Sequence, residues 1–300
     1  MNKYKKTKCA LCGCYDNYKV LYPDTSTEKN LNKEIFSARR LPDRIHYQIV
    51  KCNEDGLTRS NPTGDTSKLT TLYKESKFTY QEETNNLTKT YLNAMASILI
   101  KIPKNSNILE IGCGNGFVLE SLYKNGYKNV FGIEPSSDAI NNAPKAIKNK
   151  IKQGILNKNS FKKNKFDFIF FFQTFDHIPD PNIFLKICHN LLKKKGYILA
   201  FNHNVNSLSS RILGEKSPIY DIEHTYLYNY DTIGKIFENN NFKKILCFFP
   251  SNIISIKHLI WLLPLPHPIK NKLINTKNSF LEKNLKIKLG NLCYIGQKKT

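Results

Sequence analysis

"ILEIGCGNGF", Ile108 to Phe117, runs an apolar stretch straight into three glycines at alternate positions, Gly112, Gly114 and Gly116. "NILEIG" reads as a buried strand, and "GFVLESLYKNG" behind it as a helix closed by Gly126. Glycine suits backbone that turns tightly and approaches a ligand with no Cβ in the way. A helix that begins directly after such a turn leaves its first N–H groups free to meet that ligand. Glu134 lies eighteen residues beyond Gly116, at the end of the next strand-like run, "NVFGIE". In an open α/β sheet this spacing sets a carboxylate beside the glycine turn, able to accept from two ribose hydroxyls.

The same alternation continues outward from this stretch. "PSSDAINNAPKAIK" predicts a helix with Ser136 or Ser137 as N-cap, and "IKQGIL" a third strand. "KFDFIFFFQ" is apolar almost throughout, as a central strand buried on both faces would be. "PNIFLKICHNLLKKKG" predicts a helix closed by Gly196, followed by the strand "YILAFNH". "YDTIGKIFENNNF" predicts a further helix, "KKILCFFP" a sixth strand, and "LKIKLGNLCYIGQKK" a closing strand. Strands alternating with helices imply an α/β fold, a mostly parallel sheet covered on both faces. Upstream, residues 67–104 form a helical connector, with Leu87, Tyr91, Met95 and Ile98 at helical spacing. Residues 1–66 form a separate, irregular, cysteine-containing segment. An apolar insertion, 249–284, interrupts the last strands; its "IISIKHLIWLLPLPHP" predicts a helix packed over the domain. The alternatives at 249–266 are a peripheral membrane contact and a lid over an apolar substrate.

The chain has 300 residues and a formal charge of +22. Lysine and asparagine are spread through loops such as "KNKIKQGILNKNSFKKNKF" rather than gathered in an arginine stripe interleaved with aromatics. That favours a solvated surface; a nucleic-acid partner is disfavoured but not excluded. There is no run of about 18 apolar residues, and the basic N-terminus has no apolar stretch behind it. A cytoplasmic protein without disulfides is therefore expected. Four of the eight cysteines, Cys9, Cys12, Cys14 and Cys52, lie in the first 60 residues. Cys113, Cys188, Cys247 and Cys293 sit singly in apolar runs, as small core residues do.

A dinucleotide site needs G-x-G-x-x-G, and its third position here is Phe117. G-x-G-x-G preceded by Glu110 and followed by Glu134 instead resembles the first motif of class I S-adenosylmethionine-dependent methyltransferases. The resemblance covers roughly residues 80–300. It implies a Rossmann-like sheet, mostly parallel with one reversed strand, over residues 105–300. It implies S-adenosylmethionine as cofactor, with Glu110, Gly112, Gly114 and Gly116 at its methionine part. Glu134 would take the ribose, Ile155 or Leu156 would lie near the adenine, and Gln173 would face cofactor and substrate. "TFDHIPDP", Thr174 to Pro181, resembles the L-E-H-x-x-D-P stretch of the small-molecule branch, with Asp176 in place of the glutamate. His177 could take a proton from an acceptor at neutral pH, or could pin its loop. His224, in "DIEHTYLYNYDTI", is a second acceptor-side candidate, with His203 and Tyr226 behind it. The fourth strand is followed neither by N/D-P-P-Y/F nor by Pro-Cys. O-, C- or simple N-methylation of a small molecule is expected, for example a sugar, a quinone-like compound or a secondary metabolite. The rivals are an RNA-modifying methyltransferase and a non-catalytic protein that binds the same cofactor.

The N-terminal segment resembles a zinc-ribbon-like plan, C-x-x-C … C-x-x-C-G-L, found in some methyltransferases of this branch. Cys9, Cys12, Cys52, Gly56 and Leu57 match it, while Asp55 stands at the last cysteine position. Zinc accepts a carboxylate, although structural sites prefer Cys and His. One structural zinc on Cys9, Cys12, Cys52 and Asp55 is one reading, with His46 or Cys14 as alternative fourth ligands. A knuckle that keeps its shape without metal and a thiol cluster of other use are the alternatives. Arg39, Arg40 and Arg44 could meet an acidic substrate, or belong to a solvated loop.

Overall fold

Seven strands form the central sheet, in the order β12-β15-β10-β9-β6-β7-β8. They are β6 (Ile108–Ile111), β7 (Val130–Glu134), β8 (Ile151–Gln153), β9 (Phe166–Phe172), β10 (Leu192–His203), β12 (Phe242–Phe248) and β15 (Asn291–Lys298). The computed structural model describes residues 4–27, 44–64, 71, 74, 83–262, 266–275 and 279–299. β6 pairs in parallel with β7 and with β9, and β9 in parallel with β10. The reversed strand is β15, antiparallel to both β10 and β12 and wedged between them. Every residue of β9 except Asp167 is buried, as its near-continuous aromatic run requires of a central strand.

Helices cover both faces, and their ends follow local chemistry. α1 (Thr84–Leu99) buries Tyr91, Met95 and Ile98 on one face. α2 (Phe117–Lys124) buries Val118, Leu119 and Leu122. The single helix expected after β7 is two, α3 (Ser137–Asn141) and α4 (Lys145–Lys148). Pro144 separates them, because proline has no N–H to continue the ladder. Ser136 is the N-cap of α3, accepting from Ala139 N at 3.2 Å. α5 (Pro181–Leu191) starts with an Asp180 cap and proline at its first turn, and it ends five residues before the expected Gly196. Leu192 is drawn out of the helix because it is buried against the sheet, paired with Phe166. The register then slips between Leu192 and Tyr197, with Lys195 at φ 60°, so the lysine run forms an irregularity in β10 rather than a last helical turn.

The cysteine-containing segment contributes β1 (Tyr4–Lys5), β2 (Tyr18–Tyr22), β3 (Ile49–Cys52), β4 (Thr58–Ser60) and β5 (Thr63–Gly64). β1 pairs with β5. A four-stranded sheet runs β11-β4-β3-β2, and its β11 (Tyr226–Leu227) comes from far along the chain, after α6 (Leu208–Leu213). Cys9, Ala10, Cys52 and Leu57 are buried in one cluster with Phe175, Tyr226 and Tyr228. The segment thus shares the core of the sheet rather than hanging beside it. Arg39 and Arg40 lie outside the described residues.

After α7 (Tyr230–Asn239) and β12, the insertion forms β13 (Asn252–Ser255), α8 (Ile256–Leu262), α9 (His267–Ile274) and β14 (Asn284–Ile287). β13 and β14 pair antiparallel, so the expected closing strand is divided, with Gly290 at φ 94° between β14 and β15. The insertion is tied to α1: Ile253 N donates to Thr90 Oγ1 at 2.8 Å and Asn86 Nδ2 to Asn284 Oδ1 at 2.7 Å. The Ser255 hydroxyl bonds the buried Glu83 carboxylate. All residues of α8 are half-buried. No helix among the described residues is long and apolar enough to cross a membrane.

Candidate functional site

The glycine turn joins the end of β6 to α2, and each glycine has positive φ: 70° at Gly112, 54° at Gly114 and 75° at Gly116. Close packing adds to the demand at two of them. A Cβ on Gly112 would lie 2.6 Å from Thr174 Oγ1, and one on Gly116 would lie 2.4 Å from Ile147 Cδ1. The turn is tied to β7 by Gly112 N, which donates to Ile133 O at 2.9 Å. Glu134 completes the connection. Its Oε2 accepts from Gly114 N at 2.8 Å and its Oε1 from Ser136 N at 2.9 Å. Burial pushes the Glu134 carboxyl above its ordinary range, opposed by these two hydrogen bonds. Each oxygen keeps lone-pair capacity for a further donor. Glu110 is buried in β6, level with Gly132 and Phe170 on its neighbours. Cys113 is buried, and burial with Glu110 and Glu134 nearby holds its thiol well above the usual range.

Beyond β8, Gly154 N donates to Glu134 O at 2.9 Å. Ile155 follows, exposed, while Leu156 packs into the core. Of the two adenine-side candidates, Ile155 is the accessible one. Gln173 ends β9 with φ 49°, and its Nε2 donates to Asn291 Oδ1 at 3.1 Å. Its buried Oε1 has no protein partner.

The acceptor-side candidates come together. His177, in the turn Phe175–His177, has its ring 4.9 Å from that of His224, edge to face. His203, the last residue of β10, is 5.2 Å from His224 on another side. Desolvation and the neighbouring His224 push His203 down to about 3. His224 is buried, and its Nδ1 bonds Ile219 O at 2.7 Å. Asp176 is fully buried beneath them, its carboxylate accepting from Asn202 Nδ2 at 2.6 Å and His203 N at 3.3 Å. Burial pushes Asp176 up to about 6, with His224 and these hydrogen bonds pulling it down. Asp176 was legible only as a departure from a glutamate, and Asn202 carried no signal in the sequence. Tyr226 is not in this group: it is buried, and its hydroxyl donates to Lys8 O at 2.8 Å.

At the N-terminus the expected four residues converge. Cys9, Cys12, Cys52 and Asp55 bring their sulfur and carboxylate atoms within 4.8 Å of one another. Cys9 Sγ donates to Asp55 Oδ2 at 2.9 Å, and Cys12 Sγ lies 3.6 Å from Cys52 Sγ. Two tight turns present them, closed by Gly13 N to Cys9 O and Gly56 N to Cys52 O. Burial and the Asp55 hydrogen bond push the Cys9 thiol up to about 12. Burial raises the Asp55 carboxyl, but hydrogen bonds from the Cys9 thiol and Leu57 N outweigh it and leave it below the ordinary range. His46 is elsewhere, bonded through Nδ1 to Tyr47 O and near Glu215 through Nε2. Cys14 groups with Cys12 and Glu54 instead.

Residues 80–246 match the model of the methyltransferase domain family. The chain is similar to the ubiquinone biosynthesis O-methyltransferase of Pelagibacter ubique, 35% identical over 117 residues, 37% of this chain and 48% of that one. It is similar to the protein of the same name from Coxiella burnetii, 30% identical over 122 residues, 37% of this chain and 50% of that one. The chain thus spans about half the length of the curated relatives it matches. In structure it is similar to the YcgJ protein of Bacillus subtilis, with TM-score 0.50, 14% identity, and coverage of 69% of this chain and 99% of that one. That likeness is one of fold. With the family model spanning more than half of its length, the glycine turn and Glu134 included, this chain belongs to the methyltransferase domain family.

Proposed function

We propose that the chain transfers a methyl group from S-adenosylmethionine to a small-molecule acceptor. One observation carries the reading: a buried carboxylate, Glu134, held by Gly114 N and Ser136 N at the mouth of a left-handed glycine turn. A ribose diol is the ligand that uses the remaining lone pairs of both oxygens. Glu110, Gly112, Gly114 and Gly116 hold the methionine part, and Ile155 flanks the adenine. When bound, the cofactor supplies an electrophilic methyl group on a sulfonium sulfur. The chain's own residues orient the acceptor and take its proton. Gln173 offers its free Oε1. His177 and His224 are the two imidazoles at hand, and His224 keeps Nε2 for another partner because Nδ1–H is given to Ile219 O. The similarity to ubiquinone biosynthesis O-methyltransferases supports a hydroxyl acceptor. Residues 105–300 form the catalytic unit, 67–104 the connector and 1–66 a cover on the acceptor side. Within 249–266, α8 offers a half-buried apolar surface to an acceptor or a membrane face.

Isotopically labelled methyl donor, incubated with the protein and a metabolite extract, tests this. Label in a small molecule is expected. Label only in added RNA would favour the rival suggested by the +22 charge. Cofactor binding without transfer to either would leave a non-catalytic binding protein.

The same reading gives Cys9, Cys12, Cys52 and Asp55 one structural zinc. Three thiols and one carboxylate converging on a common point fit that ion's donor set. The thiol-to-carboxylate and thiol-to-thiol contacts are those that such ligands make while protonated. The ion would lock the turn between β1 and β2 to the turn that joins β3 to β4. From β4, Ser60 Oγ donates to His224 O at 2.7 Å, so the cover reaches the acceptor side directly.

A further inference from the structure

A second convergence of donors lies beneath the acceptor-side histidines, and methyl transfer by itself does not call for it. Asp176, His203 and His224 each bring one ligand-capable atom within 4.8 Å of the other two. They come from three separate elements: the turn after β9, the end of β10, and the loop before β11. Two of the three are held in place by groups that are not ligands themselves. The Ile219 carbonyl can only accept, so His224 Nδ1 carries a proton and Nε2 is the nitrogen left to act as a ligand. Asn202 Nδ2 and His203 N orient the fully buried Asp176 carboxylate. A carbonyl on the far nitrogen of an imidazole and a hydrogen bond to the carboxylate are the supports that metal ligands characteristically have.

We propose that Asp176, His203 and His224 form a second metal site, binding one divalent transition-metal ion on the acceptor side of Gln173. Two imidazole nitrogens and one carboxylate oxygen suit zinc, iron, cobalt or nickel, and suit calcium or magnesium poorly. Bonds of about 2.0–2.2 Å put tetrahedral ligand atoms roughly 3.4 Å apart, which these three reach by shifts on the order of an ångström. Three protein ligands leave coordination positions open. This site is therefore of the open kind, unlike the cysteine cluster. With His224 engaged as a ligand, His177 is left as the imidazole that carries the acceptor proton. The metal site does not rest on the methyl-transfer reading, and it is tested without cofactor or acceptor.

Untagged protein is stripped with a chelator and titrated with cobalt(II), followed by visible and near-ultraviolet absorption. Three forms are compared: the native chain, Cys12→Ser/Cys52→Ser, and His203→Ala. We expect two cobalt ions per chain in the native chain, one with thiolate charge-transfer absorption and one without it. The double serine variant should keep the thiolate-free ion, and His203→Ala should lose it. X-ray absorption of the native chain loaded with two cobalt ions should show a nitrogen and oxygen shell beside the sulfur shell of the cysteine cluster, so the test stands even where a variant fails to fold. A native chain that binds cobalt only with thiolate absorption, or not at all, overturns the proposal. So does a His203→Ala chain that keeps the thiolate-free ion.

Discussion

Replacing Glu134 separates a cofactor carboxylate from a merely structural one, and the structure sets the size of the effect. Both oxygens are already used once, by Gly114 N and Ser136 N, and each can take one further hydroxyl. Hydrogen bonds to a charged group contribute about 1.5–3 kcal/mol each. Glu134→Ala removes two, about 3–6 kcal/mol, or roughly 10²- to 10⁴-fold in cofactor affinity. Glu134→Gln keeps the volume and one acceptor oxygen. Its amide nitrogen, however, must face a backbone N–H, and it loses one ribose contact, about 10- to 100-fold. The expected order is native, then Gln, then Ala, measured by calorimetry with S-adenosylhomocysteine. Proton linkage gives a second signature. The buried carboxyl sits above its ordinary range in the free chain, and ribose hydroxyls bond best to its ionised form. Affinity should fall as the pH drops through that raised value, and binding there should release a proton, read from buffers of different ionisation enthalpy. The contribution to folding has the opposite dependence. Folded Glu134 holds its proton more tightly than unfolded, so its stabilising contribution is lost as pH rises through the folded pKa. Equal affinities of all three forms within about threefold, with unchanged melting profiles, would refute the ribose assignment.

Three further outcomes are expected. Gly112→Ala places a Cβ 2.6 Å from Thr174 Oγ1 at φ 70°, and thermal melting should show about 1–3 kcal/mol of destabilisation. His177→Ala should lower turnover about 10²-fold or more while leaving cofactor affinity within about threefold; an unaltered rate would leave it a loop anchor. Freshly purified protein should carry about one zinc per chain at the thiol cluster, and Cys52→Ser should lose it and melt earlier, by elemental analysis and calorimetry.

How much of this was legible varies with the range of the interaction that decides it. The turn Gly112–Gly116 and Glu134 are set by local backbone demands and by neighbouring strand ends, so residue type and spacing were enough. β9 was legible because burial on both faces leaves no alternation. The end of α5 was not: Leu192 leaves the helix to pair with Phe166, a contact that helical periodicity does not carry. Neither was β11, two residues long, whose partners Thr58 and Arg59 lie far back in the chain. At the N-terminus the four candidate ligands were named by resemblance. That Asp55 rather than His46 closes the group depended on His46 being bonded to Tyr47 O and lying beside Glu215.

β11 changes the standing of the N-terminal segment. Tyr226 and Leu227 complete the segment's sheet, while Thr225 N bonds Asp176 O at 2.8 Å and Ser60 N bonds Thr225 O at 3.0 Å. His224 is therefore held from two sides: from the Rossmann-like sheet through Asp176, and from the cysteine-bearing segment through Ser60. A disturbance at Cys52 or Asp55 loosens the turn that leads into β4, and β4 carries Ser60. The route from the thiol cluster to the acceptor-side imidazole is one strand and one hydrogen bond long. Loss of metal from the cluster should therefore act on acceptor handling before it acts on the cofactor, because Glu134 and the glycine turn share no hydrogen bond with β4 among the described residues.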